Sequence, residues 1–269
     1  NSQEQNNRTK SEEESVAFIS TLAAAFTVLL ATYAAIPAST SQAAIGAMVG
    51  IAIGAHTGGV DWSKFSKMFL CWVLNPIGSA IISIILFIVL SKIIHFFFRK
   101  NFSRLNRIYK VLLIIAGCYG AYELGANNVV VTTAPYYNAG MFGDPAKVVE
   151  HFWQDPAFIA ALIGSLAIAL GALTYNKKVI YTVGSSITAL DPFSAMITVF
   201  SHSLSLMVFT RLKVPVSSSQ AIVGAVLGIG LLRGSGAVSF RTLGKIFVGW
   251  ILTPVIGGTI AFILLKIFI

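Results

Sequence analysis

Charged side chains are scarce. Asp, Glu, Lys and Arg make up 11% of the 269 residues, against about a quarter in soluble domains, and the mean hydropathy is +0.80. That excludes a soluble chain with an ordinary solvated surface. Cysteine is nearly absent. Cys71 and Cys118 both fall in apolar runs, so they read as small buried hydrophobes and imply no disulfide framework or thiolate metal site. There is no Walker-type glycine loop, no nucleophile elbow and no His/Cys metal spacing, so nothing supports an enzyme or a resident cofactor. The net charge of +9 does not signal nucleic acid, because much of it gathers in one segment where membrane topology explains it. The chain opens at Asn1, with neither a methionine nor a signal-peptide n-region and cleavage site.

Long apolar runs recur along the whole length. Eight segments stand out, at 16–36, 42–59, 66–94, 110–134, 156–174, 193–211, 220–234 and 242–268. This is the pattern of a polytopic, all-α membrane protein. The second and seventh segments are short and rich in glycine. At about 1.5 Å per residue they fall short of the hydrocarbon core, so they read as half-helices or re-entrant segments. The opening NSQEQNNRTKSEEES is polar and of mixed charge and reads as a tail or loop. Between Lys92 and Lys110 lie Arg99, Lys100, Arg104 and Arg107 and no acid, which places this loop in the cytoplasm. Segment 135–155 carries Asp144, Glu150 and Asp155 against Lys147 and falls outside, whereas Lys177 and Lys178 fall inside. Arg211 and Lys213 fit this alternation least, since they would sit on the outer side or at depth.

The chain repeats itself. Adding 178 to a residue number carries Pro37 onto Pro215, Gln42 onto Gln220, Gly46 onto Gly224, Lys67 onto Lys245, Trp72 onto Trp250 and Pro76 onto Pro254. Sixteen of the forty positions from Pro37 to Pro76 are identical at that offset. Five segments separate equivalent points, so the copies run in opposite directions through the membrane, the arrangement of many secondary transporters. The organisation expected is a polar tail or loop over 1–15, an incomplete first inverted repeat over 16–95, a basic cytoplasmic loop over 96–109 and a second inverted repeat over 110–269. The second repeat begins with two segments that the first lacks. This suggests a C-terminal portion of a longer protein.

The two hydroxyl-rich turns, PASTSQ and PVSSSQ, break the apolar pattern at matched places. Pro37 and Pro215 lack an N–H and disfavour helix in the residue before them. A helix restarting after the proline has free N–H groups. Together with the hydroxyls of Ser39, Thr40 and Ser41, and of Ser217, Ser218 and Ser219, these groups make an anion cradle needing no Lys or Arg. The alternative is plain N-capping by Ser and Thr. In ELGANNVVVTTAPYYNAG, Asn127, Asn128, Thr132 and Thr133 offer hard oxygens suited to a cation such as sodium. They could equally hydrogen-bond neighbouring helices. Glu123 is an intramembrane carboxylate, a candidate for proton or cation coupling or simply a paired side chain. The glycine pairs Gly46/Gly50 and Gly224/Gly228 read as close-packing positions, and His202 as a satisfied buried histidine.

These motifs together resemble the inorganic phosphate transporters of the PiT (Pho-4) type, which include related sulfate permeases. GANNVVVTTAP is similar to that family's GANDVAN signature. PASTSQA and PVSSSQA are similar to its paired hydroxyl loops, and TVGSSITALDP to the segment before the second loop. The resemblance implies an integral, multi-pass protein of the plasma (cell) membrane, built from two inverted repeats, that carries phosphate with sodium or protons. A homodimer stays open. It nominates Ser39, Thr40, Ser41, Ser217, Ser218 and Ser219 for the anion and Asn127 for the anion or cation. The chain departs from the pattern where the family's acid is Asn128 and its later asparagine is Val131. Losing that carboxylate puts sodium coupling in doubt and makes sulfate or another oxyanion more plausible. An anion channel is the remaining rival.

Overall fold

The structure, a computed structural model, describes residues 2–55, 59–98, 102–144, 149 and 151–268. Among them all regular structure is helical. The main helices are α1 (Ser2–Tyr33), α2 (Thr40–Gly54), α3 (Trp62–Phe98), α4 (Phe102–Asn138), α5 (Pro156–Thr174), the short α6 (Lys177–Tyr181), α7 (Pro192–Arg211), α8 (Ser218–Leu232) and α9 (Phe240–Phe268). Six of them, α1, α3, α4, α5, α7 and α9, are long and apolar enough to cross a membrane. The two short segments become α2 and α8, each of 15 residues, and their ends match at the offset of 178.

Two expectations change. The polar opening is helical from Ser2 onward rather than a loop, because its Glu, Gln, Lys and Arg are good helix formers that extend the span behind them. The basic loop over 96–109 is mostly helix as well. α3 runs to Phe98 and α4 starts at Phe102, so Arg107 and Lys110 stand on a helix end; Arg99 and Lys100 lie outside the described residues. Helices of 37 residues exceed the roughly 20 that a bilayer needs, and the excess carries the charge.

The repeats interlock by exchange. α2 packs chiefly on α9, and its counterpart α8 packs chiefly on α3, the counterpart of α9. A Cβ on Gly46 would overlap the carbonyl oxygen of Pro254, and a Cβ on Gly224 would overlap that of Pro76. One turn on, Gly50 meets Gly258 and Gly228 meets Ala80 in the same way. Only glycine permits backbones this close. The outward faces of α3 and α5 expose Ile77, Ile81, Ile85, Leu162, Leu166 and Leu170. An apolar surface of this extent is suited to hydrocarbon.

Both helix breaks have the same backbone. Ala35 and Lys213, a matched pair, each have a φ of +57°. Ile36 N donates to Ala31 O at 2.9 Å and Val214 N to Phe209 O at 3.1 Å, closing a left-handed C-cap on α1 and on α7. Neither position is glycine. The chain then passes the proline and restarts at a serine N-cap. Ser39 Oγ accepts from Gln42 N and Ser217 Oγ from Gln220 N, both at 3.2 Å.

Candidate functional site

A cavity of about 1120 Å³ lies between α1, α2, α4, α5, α7 and α8. Most of its lining is apolar. Among its polar residues are several from places that are far apart in sequence. Thr40 arrives from the first hydroxyl turn, Ser218 and Ser219 from the second, and Asn127, Asn128 and Thr132 from α4. Thr40 and Ser218 are matched positions, so each repeat sends the same hydroxyl-bearing position to one cavity.

The nominated hydroxyls divide into two groups. Ser39 and Ser217 are buried and cap their helices, and Ser41 is fully buried with its hydroxyl 3.1 Å from that of Ser39. None of these three lines the cavity. Local capping accounts for Ser39 and Ser217, and of the nominated hydroxyl residues Thr40, Ser218 and Ser219 line the cavity. The Ser219 hydroxyl keeps a contact of 3.0 Å with Ser217. The first N–H groups of α2 and α8, at Thr40 and Ser218, have no acceptor among the described residues. A hydroxyl beside a free N–H at a helix start suits an oxyanion.

Asn127 holds the second turn in place. Its Nδ2 donates to Val216 O at 2.8 Å, and Val216 N donates to its Oδ1 at 3.4 Å. Asn128 Nδ2 donates to Leu124 O at 3.1 Å and reaches Ser218 Oγ at 3.5 Å. Both asparagines are buried, and both still line the cavity. Thr132 lines it too, although its hydroxyl is bonded back to Val129 O at 2.9 Å. Thr133 does not. Its hydroxyl also returns to Val129 O, at 2.8 Å, and its methyl packs beside Gly164 of α5. Glu123 is buried near Tyr119, on the side of α4 that meets α7, and is not part of the cavity wall. Helical geometry explains Thr133, which projects from another face of α4 than Asn127 and Asn128, whereas Glu123 lies one turn before Asn127 on the same face and is set apart by its position along the helix.

His202 and Lys213 are among the wall residues that the sequence did not nominate. His202, expected to be a satisfied core histidine, lines the cavity within reach of the Ser218 backbone. Lys213 lines it as well. Among the described lining residues there is one lysine, one histidine and no carboxylate. For Lys213, its poor fit to the charge alternation was the available signal.

The comparisons with known proteins agree with this architecture. A family model described as the phosphate transporter family matches residues 4–261. A protein of Methanocaldococcus jannaschii named "Putative phosphate permease" is 29% identical over 242 residues, covering 89% of this chain and 71% of that protein. One of the same name from Pyrococcus furiosus is 28% identical over 309 residues, covering 89% and 73%. A solved structure titled "The sodium-dependent phosphate transporter" superposes with a TM-score of 0.79 at 22% identity, covering 97% of this chain and 81% of that one; the likeness is one of fold. With nearly its whole length matched, the chain belongs to the phosphate transporter family, a family of membrane transporters rather than enzymes.

Proposed function

We propose that this chain is a secondary transporter that moves inorganic phosphate across the plasma membrane by alternating access, with two inverted repeats rocking about the cavity. The observation that carries the reading is the meeting of Thr40 and Ser218, one from each repeat, in one cavity. Leaving out the five-residue α6, α8 is the fifth helix after α2, so the two point opposite ways across a bilayer. The exchanged packing of α2 on α9 and α8 on α3 supports the same symmetry. Helix starts with free N–H groups on opposite sides of a mid-membrane cavity are a recurrent way to hold an anion during such a cycle.

Coupling to sodium or protons belongs to the same proposal. Asn128 occupies the wall where a carboxylate would strengthen a sodium site, and its amide leaves oxygens but no charge there. Among the described lining residues there is no carboxylate to exchange a proton with phosphate, which favours sulfate as the second substrate. The test is uptake into proteoliposomes of labelled phosphate and sulfate under imposed sodium or proton gradients. Thr40→Val with Ser218→Ala should abolish uptake and anion binding; if both survive, the proposal fails. Asn128→Asp should strengthen sodium dependence, and an unchanged dependence would count against the cation's placement there.

A further inference from the structure

The helix ends on one side of the bundle gather cations and little acid. Phe193, in the first turn of α7, packs its ring on Phe87 of α3 at 5.3 Å and on Tyr109 of α4 at 5.2 Å. That holds the last turns of α3 and the first turns of α4 side by side. Arg233, just past α8, pairs with Asp191 at the start of α7, so these ends lie on the same side. Lys92, Arg107 and Lys110 are exposed there. The ion pairs among the described residues are Lys64–Asp61 and Arg233–Asp191. None of the three cations therefore has a carboxylate partner among the described residues, and Asp191 is already taken.

The three cations cap apolar stripes. On α3, Ile85, Val89 and Lys92 follow one another at spacings of four and three, and on α4 Val111 and Ile114 follow Arg107 and Lys110 in the same way. Such spacing puts residues on one helix face. All of them are exposed, whereas Phe87 of α3 and Tyr109 and Leu113 of α4 turn toward α7. Each stripe therefore looks away from the bundle. The stretches of α3 and α4 suited to cross a membrane are Trp62–Ile94 and Arg107–Asn138. The cations thus stand within a turn of the span ends, at headgroup depth, with hydrocarbon-facing side chains directly behind them. Topology accounts for cations on this side, but charges farther out in water would meet it equally well. A soluble anion would use the charges and leave the stripes bare, whereas a phospholipid of net negative charge uses both.

We infer that the outward faces of α3 and α4 at this end bind an anionic phospholipid, its headgroup phosphate on Lys92, Arg107 and Lys110 and its acyl chains along the two stripes. The guanidinium of Arg107 can hold two phosphate oxygens at once, and the two lysines act as point charges beside it. A zwitterionic lipid offers the same phosphate, but its own ammonium cancels the net charge that the three cations attract. The site shares no residue with the lining of the anion cavity, so it does not depend on the proposed transport.

The test compares phosphatidylglycerol with phosphatidylcholine of the same acyl chains on the full-length protein in detergent. Native mass spectrometry reads the lipid retained, and melting temperature reads the concentration at which each lipid stabilises. Phosphatidylglycerol should be retained and should stabilise at a concentration at least about tenfold lower. Lys92→Gln, Arg107→Gln and Lys110→Gln together should weaken it roughly a hundredfold, about fivefold for each cation, and leave phosphatidylcholine within about twofold. Should that triple variant not fold, Lys92→Gln alone decides, with the fivefold loss expected. The charge-conserving set Lys92→Arg, Arg107→Lys and Lys110→Arg should stay within about threefold of wild type. Lys64→Gln, Lys67→Gln and Lys266→Gln together remove three exposed cations elsewhere and should change the affinity less than about twofold. Equal losses from the two glutamine triples would reveal attraction to net charge and overturn the site, as would undiminished retention in the first triple. Displacement of the lipid by millimolar inorganic phosphate at constant ionic strength would make the ligand a free anion and overturn it too. A dimer that the first triple dissociates, in a wild type that retains neither lipid, would give this face to a second copy instead.

Discussion

At the break between α1 and α2, the indole of Trp250 donates to Pro37 O at 2.9 Å; at the break between α7 and α8, the matched indole of Trp72 is buried without an acceptor. The second break is held instead by amides. Asn75 Nδ2 donates to Ser217 O at 2.7 Å and its Oδ1 accepts from Ser205 at 2.9 Å, while Asn127 grips Val216. Thr253, the counterpart of Asn75, is turned back onto its own helix at Gly249 O. Beyond the far end of α8, Arg233 pairs with Asp191, and the matched residues are Ala55 and Glu13. The two breaks thus share φ angles, caps and glycine contacts but differ in what ties them down. A duplicated backbone geometry requires only steric matches, which glycine and proline supply in both copies. Side-chain hydrogen bonds are free to diverge once that geometry is set.

The largest effects should come from what the copies share. Gly46→Ala and Gly224→Ala each push a Cβ into a backbone carbonyl and should destabilise by about 1–3 kcal/mol or more, equally in both copies. Thermal unfolding in detergent reads this, and a clear inequality would break the equivalence of the two interfaces. Next comes the asymmetric amide. Asn75→Ala removes hydrogen bonds from buried Ser217 O and Ser205 and should cost about 1–3 kcal/mol, against less than about 1 kcal/mol for Thr253→Val. Equal losses would mean that the second break is not held by Asn75. Ser39→Ala and Ser217→Ala should each cost about 1 kcal/mol as lost N-caps while leaving anion affinity near wild type, in contrast to the Thr40/Ser218 pair.

The smallest effect concerns pH. Partial burial pushes the Asp191 carboxyl up, but the Ser194 backbone N–H, the Ser194 hydroxyl and the Arg233 guanidinium outweigh it. Asp191 therefore lies below its ordinary value of 3.8. Because the folded value is the lower one, its stabilisation is present above 3.8 and is lost as the pH falls through the depressed value. Asp191→Asn should remove that acid dependence and change stability little near neutral pH, since the pair is about half exposed to solvent. A titration of melting temperature on both proteins checks this, and identical acid profiles would refute the assignment.

Much of this architecture is legible in sequence because its signals are local. An apolar run long enough for a bilayer must close its own hydrogen bonds as a helix, and each of the eight apolar segments lies within one helix over most of its length. Pro37 and Pro215 with their flanking serines mark the breaks because capping acts over three residues. The register of 178 predicts which glycines approach which prolines only once the repeats are known to exchange helices. What was illegible lies on the faces of single helices. Nothing in ELGANNVVVTTAP by itself says that Asn127 and Asn128 face the cavity, that Thr133 faces α5 and Glu123 the α7 side. His202 is the buried, satisfied histidine that the sequence suggested, and only the tertiary structure shows that it also borders the cavity.

By itself the sequence determined that the chain is a bundle of membrane helices, broken twice at matched prolines and repeated at a fixed offset. Hydropathy, proline geometry and capping act within a few residues and do not depend on what packs nearby. The tertiary structure alone decided which hydroxyls are caps and which residues line the cavity. Those outcomes depend on the rotation of each helix about its axis, and that rotation is set by glycine-to-backbone contacts between the two repeats, made by residues more than a hundred positions apart.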